Sequence, residues 1–179
     1  MLIRHGDAAA GWADDLDPGL SPLGHVQARH VAESLKPLGP LPILSSPMRR
    51  CQETAVPIAE QWGVSPTIEP DVGEIKAPGH DLTTRGPWLD SVLGSTWPEM
   101  PADQLSWRDA VLSRLLSLTE DCVVVTHFVA INVAIGAATV DDRVVCRRVG
   151  NCSTTMLESD GHSLMMVAAP AEAETTEVL

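Results

Sequence analysis

Lysine is nearly absent from this chain, with only Lys36 and Lys76 among 179 residues. Positive charge is scarce altogether: 12 Lys plus Arg stand against 24 Asp plus Glu, for a net charge of −12. A chain this acidic lacks the basic surface that nucleic acid or an anionic membrane requires. No apolar run approaches the roughly 20 residues needed to span a bilayer, and no signal-peptide pattern precedes Arg4. Cys51, Cys122, Cys146 and Cys152 contain no Cys-x-x-Cys pair. That spacing argues against a zinc site or redox dithiol, and a disulfide framework is out of keeping with a chain of this length. The cysteines read as small buried thiols of a cytoplasmic protein.

What is present is enough apolar material, 44% of residues, for one domain with a sizeable core. Strand-like runs and helix-like periodic runs alternate. Leu2-Ile3 reads as a short strand and residues 7–20 as a loop. Ser21-Pro22 then gives an N-cap with proline at the first helical position. Leu23, Val26, Val31 and Leu35 trace an apolar face up to the stop at Pro37-Leu38-Gly39-Pro40. The unit repeats as strand 42–44, a Ser46-Pro47 cap and a helix to about Trp62 that Pro57 must begin, kink or break. A short strand at 67–69, an irregular stretch around Glu74, and helices over 87–94 and 104–119 follow. Strand 122–125 and helix 128–138 form a third unit. Residues 143–149, 153–158 and 163–168 read as strands, the last two joined by an Asp160-Gly161 turn. The expected fold is α/β, three layers around a mostly parallel sheet with a late antiparallel edge hairpin. One domain is expected over 1–168, with 169–179 as a frayed tail.

Three of the arginines and two of the histidines fall where apolar strands end. Arg4-His5-Gly6 closes the first strand, Arg49-Arg50 opens the second helix, and Thr126-His127 closes a third apolar run. Ligands on such sheets bind beyond the carboxyl ends of the strands. Two imidazoles among arginines there suit an oxyanion, since guanidinium forks match phosphoryl oxygens better than ammonium groups do. A neutral imidazole nitrogen is also a nucleophile for phosphorus. His5, His127 and Asp7 as a metal site would lack the His-x-x-x-His spacing of a helical ligand pair, so neither metal nor cofactor is expected.

Taken together, Leu2-Ile3-Arg4-His5-Gly6, Leu20-Ser21-x-x-Gly24-x-x-Gln27-Ala28, Ser46-Pro47-x-x-Arg50-x-x-x-Thr54-Ala55 and Thr126-His127 resemble the histidine phosphatase superfamily, in its phosphoglycerate-mutase-like branch. The likeness runs from about residue 2 to 158, with Asn151-Cys152-Ser153 similar to a late strand start of that family. The resemblance implies His5 as nucleophile and Arg4, Arg50 and His127 as phosphate-binding residues. Ser46 and Thr54 are the markers that select Arg50 over Arg49. It further implies a glutamate general acid in the irregular segment, which fits Glu74, with Asp7 and Asp71 as rivals. After Glu74 the sequence departs from the family, Lys76-Ala77-Pro78-Gly79 standing where a Trp-Glu-Gly context is usual.

The activity implied is a metal-independent phosphomonoesterase working through phosphohistidine on small phosphorylated metabolites. Three other functions remain open. One is a phosphoglycerate-type mutase, for which only Gly11-Trp12 echoes the expected sugar-phosphate loop. Another is a protein phosphohistidine phosphatase, whose small members lack the Glu segment. The last is a non-catalytic phospholigand-binding domain. Substrate and oligomeric state are not encoded in any motif of this chain.

Overall fold

The computed structural model describes residues 1–170 and 172–173. Its six strands are β1 (Leu2–Arg4), β2 (Ile43–Ser45), β3 (Thr67–Ile68), β4 (Val123–Thr126), β5 (Thr154–Ser159) and β6 (Leu164–Ala168), in the sheet order β3-β2-β4-β1-β5-β6. The first four in that order run parallel, and β5 and β6 add an antiparallel edge. Five helices cover the faces: α1 (Pro22–Leu35), α2 (Arg49–Trp62), α3 (Arg85–Leu93), α4 (Ala102–Leu116) and α5 (Phe128–Thr139). This is the expected three-layer architecture.

Alternation along the central strands divides the interior into two cores. Ile3, Ile43, Val123 and Val125 point to one face, against Val31 and Leu35 of α1 and Ala55 and Ile58 of α2. Leu2, Leu44 and Val124 point to the other, against α4 and α5. Strands buried on both faces carry apolar residues at every position, which is why they read as unbroken apolar runs. Every residue of α5 from Phe128 to Gly136 is buried, the pattern of a helix enclosed on all sides.

The structure corrects several local expectations. Residues 143–149 form no strand, because β5 already occupies the free edge of β1. Instead the Asn132 side chain accepts the backbone N–H groups of Cys146 and Arg147 at 2.9 and 2.8 Å, and side-chain capture of this kind replaces a ladder. In α1 the buried face is Gly24, Ala28, Val31, Ala32 and Leu35, whereas Leu23 and Val26 are exposed. Pro57 sits inside an uninterrupted α2. That helix begins at Arg49 with Met48 as its cap, not at Ser46-Pro47. Of the residues read as a tail, 171 and 174–179 lie outside the described residues. Pro170 O accepts from Arg147 Nε and Ala173 N–H donates to Arg148 O.

Parallel pairing sets three strand ends level. Arg4 pairs with Thr126 and Ser45 with Val125, so His5, Ser46 and His127 emerge together at the carboxyl edge. The ladder runs one step further, His5 N–H donating to Thr126 O at 2.9 Å and Ser46 N–H to Val125 O at 3.0 Å. Beyond His5 the chain is pinned to α1. Asp7 N–H donates to Gln27 Oε1 at 2.7 Å, Ser21 Oγ donates to Asp7 Oδ2 at 2.5 Å, and Ser21 Oγ accepts from Gly24 N–H. A Cβ at Gly24 would lie 2.1 Å from Asp7 O, with backbone on both sides. Overpacking of this kind costs about 1–3 kcal/mol. Gly24→Ala is therefore expected to lower the urea midpoint clearly. Gly86→Ala, where the added methyl makes ordinary contact at 3.7 Å with Ala13, is the matched control and should change stability by less than about 1 kcal/mol.

Candidate active site

At the carboxyl edge of the sheet lies a cavity of about 460 Å³ whose wall includes Arg4, His5, Arg50 and Glu74. All three predicted basic residues in that wall are buried. Arg50 stands between the two imidazoles: its Nε donates to His5 Nε2 at 3.1 Å and its Nη2 lies 3.2 Å from His127 Nδ1. The rings themselves meet edge to face, 5.2 Å between centroids. Arg4 Nη1 donates to Val149 O at 2.8 Å, and its guanidinium lies over the Phe128 ring.

These contacts assign the tautomers, because a guanidinium only donates. His5 must present a lone pair at Nε2, so its proton is on Nδ1, which lies 2.8 Å from Gly6 O. His127 must accept at Nδ1 and donate from Nε2 to Ser46 Oγ at 2.7 Å. Thr54 closes the arrangement, its Oγ1 accepting Gly6 N–H and donating to Arg50 O. Thus Ser46 and Thr54, the spacing markers, hold the imidazole and the turn, and Ser46 Oγ also accepts Met48 N–H at 3.2 Å just ahead of α2. His127 is fully enclosed and reaches the cavity through Arg50.

Burial, with the Arg50 and Arg4 charges, holds the His5 imidazole well below the ordinary range. Burial followed by the same charges and by His5 lowers His127 likewise. Glu74 moves the other way. Burial raises its carboxyl, outweighing the Ile75 and Val129 N–H donors and the attraction of Arg50 and Arg4. Of the rival acids, Asp71 is exposed and outside the cavity wall. Asp7 is in the wall, with its carboxylate engaged by Ser21. Among the described residues no three His, Cys, Asp or Glu side chains are grouped to hold a metal ion.

The family description "histidine phosphatase superfamily (branch 1)" matches residues 1–169. The chain belongs to this superfamily. A curated relative, glucosyl-3-phosphoglycerate phosphatase of Mycobacterium tuberculosis, is 30% identical over 113 residues, covering 61% of this chain and 47% of its own. The chain thus spans less than half the length of the curated relatives it matches. A solved structure of the native mycobacterial glucosyl-3-phosphoglycerate phosphatase superposes with a TM-score of 0.65 at 26% identity, covering 92% of this chain and 93% of that one. Phosphoserine phosphatase of Entamoeba histolytica, solved with 3-phosphoglyceric acid, gives 0.73 at 21% identity and covers 99% and 98%, a likeness of fold.

The wall also holds residues that the motifs did not single out. Arg85, at the start of α3, is 8% exposed, and its guanidinium lies 4.1 Å from the Trp12 ring centroid. A signal for it exists in the sequence, since a cation in the first turn of a helix opposes the helix dipole. Asn151 is in the wall as well, as is Leu23, which accounts for its exposure in α1. Trp88 stacks on His80 and does not belong to the wall.

A site of this kind should bind an oxyanion on its own. Inorganic phosphate at 100 times its Kd is expected to stabilise the protein by about 2.7 kcal/mol, read as a rise in Tm. Arg50→Ala should lose that rise, and retention of the full rise in the variant would separate phosphate binding from Arg50.

Proposed function

We propose that this chain is a phosphomonoesterase that forms a phosphohistidine on His5, acts on a small phosphorylated metabolite in the cytoplasm, and needs no metal or cofactor. The observation that carries this reading is the state of the His5 ring. Its Nδ1–H is committed to Gly6 O, which leaves Nε2 with a lone pair aimed at a guanidinium that an entering phosphoryl group would take over. Family membership supports it, as do the curated relatives named as phosphatases of glucosyl-3-phosphoglycerate.

In the first step His5 Nε2 attacks phosphorus and the ester P–O bond breaks. Glu74, whose burial favours the protonated carboxyl, donates to the departing alkoxide oxygen. In the second step the Glu74 carboxylate takes a proton from water, whose oxygen attacks phosphorus. The P–N bond breaks, and inorganic phosphate and neutral His5 are regenerated. Arg4 and Arg50 hold the equatorial oxygens throughout. His127, accepting from Arg50 Nη2 at its Nδ1, holds that guanidinium in place against the phosphoryl oxygens, with Ser46 fixing the ring from the far side. Catalysis of phosphoryl transfer is mostly such positioning and charge stabilisation.

Incubation with a phosphate monoester is expected to leave an acid-labile phosphoryl label on the protein, absent in His5→Ala. A label that survives this substitution refutes the assignment. Glu74→Gln should cost about 10²- to 10⁴-fold in rate on an alkyl phosphate, and much less on an aryl phosphate, whose leaving oxygen needs little proton assistance. Activity should persist in chelator.

The pH dependence follows from the two opposed shifts. The nucleophile must be neutral, and with its pKa depressed His5 stays neutral as pH falls through about 6.5, where ordinary imidazole protonates. The acid must be protonated, and with its pKa raised Glu74 keeps its proton above the ordinary carboxylate range. Accordingly kcat/KM on an alkyl phosphate should hold as pH is lowered through about 6.5 and fall on the alkaline side. That alkaline fall should disappear in Glu74→Gln. A loss of rate on crossing 6.5 downward would contradict a depressed His5.

A further inference from the structure

The mechanism above leaves Arg85 unused. Its side chain is 8% exposed and lines the same cavity as His5 and Arg50. Among the described residues it makes no ion pair, Asp15 attracting it only at longer range, and its one hydrogen bond is a long contact of 3.5 Å from Nη1 to Asp15 O. The Trp12 indole lies 4.1 Å from the guanidinium carbon. This ring face attracts the cation and fixes the plane of the fork without using its donors. Two further polar atoms of the same wall, Trp12 Nε1 and Asn151 Oδ1, are buried with no hydrogen-bond partner among the described residues. Buried charges are ordinarily paired and buried polar atoms ordinarily bonded. Arg85, with no ion pair among the described residues, and the unpartnered Trp12 N–H are both donors in one cavity wall, a pairing that suits an anion.

We infer that Arg85, held by Trp12, is the anchor for a second oxyanion on the substrate, so that the phosphate ester hydrolysed here carries a carboxylate or a further phosphate as well as the scissile group. This rests on the cavity being the phosphatase site proposed above. The scissile phosphoryl oxygens take Arg4 and Arg50. Arg85 and Arg50 line the same cavity, and the Arg50 charge, after burial, lowers the pKa of Arg85 while Asp15 acts to raise it. Asp14 and Asp15, also in the wall, are exposed, and water screens their repulsion far more than it screens the attraction of buried Arg85. Arg85 is thereby a specificity residue. It selects the molecule that is to be hydrolysed and does not take part in bond breaking.

Binding distinguishes the idea from the catalytic proposal, since it can be read in His5→Ala, which cannot turn substrate over. Isothermal titration of that variant with 3-phosphoglycerate and with glycerol 3-phosphate compares a carboxylate with a hydroxymethyl on otherwise similar esters, and propane-1,3-diol bisphosphate supplies a second phosphate in place of the carboxylate. The carboxylate or the bisphosphate should bind about 10- to 100-fold more tightly than glycerol 3-phosphate, as one charged hydrogen-bonded pair allows. Which of the two gains more identifies the second anion. Adding Arg85→Gln should erase the preference, and Arg85→Lys, which keeps the charge but loses the fork and the stacking, should restore only part of it. With His5 intact, kcat/KM should show the same collapse of the ratio between substrates. Equal binding of all three esters, or an equal loss on all three in Arg85→Gln, overturns the inference while leaving phosphohistidine chemistry untouched. A preference that stands in a protein without phosphatase activity would retire the catalytic reading and keep this one.

Discussion

A single guanidinium, that of Arg50, governs the site by having only protons to offer. Whatever faces it must present a lone pair, and two imidazoles do, at His5 Nε2 and His127 Nδ1. Each ring must then carry its proton on the opposite nitrogen and find an acceptor there. Gly6 O serves one ring and Ser46 Oγ the other. Several otherwise separate facts follow from this one requirement. The turn after β1 has its carbonyl directed back at the ring, Thr54 secures that turn through Gly6 N–H, and Ser46 Oγ is turned to the second imidazole.

The sheet supplies the distances. β1, β2 and β4 end level because they pair in parallel with Arg4 opposite Thr126 and Ser45 opposite Val125. The chemistry-bearing residues sit one step past that secure region, where the chain leaves the ladder but the last hydrogen bonds still hold His5 and Ser46. Rigid strands thus position the imidazoles, and the variable loops begin only after them.

Much of this was legible from the amino acids, and the boundary has physical causes. Arg4-His5-Gly6 and Thr126-His127 could be read because each lies at the end of an apolar run that only a buried parallel strand would carry. The Asp160-Gly161 turn was readable for similar reasons of composition and backbone. Residues 143–149 could not be read, since their apparent strand character is overridden by Asn132 reaching across from α5. The face of α1 was misjudged because its buried side is built on Gly24 and Ala28, whose smallness allows close approach and gives no hydrophobic signal. Arg85 lies in a stretch with no periodicity, and its meaning depends on Trp12, seventy-odd places earlier. Which residues share a cavity wall is a property of loops, and loops carry little pattern.

The charge balance has one more implication. Apart from the few guanidiniums folded into the cavity, this molecule is strongly acidic, with a net −12, so its outer field and its inner field have opposite signs. An approaching phosphorylated compound is repelled until it nears the mouth and attracted only inside. Raising ionic strength weakens the long-range repulsion more than the enclosed attraction. On the proposed function, capture should therefore quicken with added salt, opposite to an enzyme that steers its anions from afar, and the same outward push would hasten departure of free phosphate.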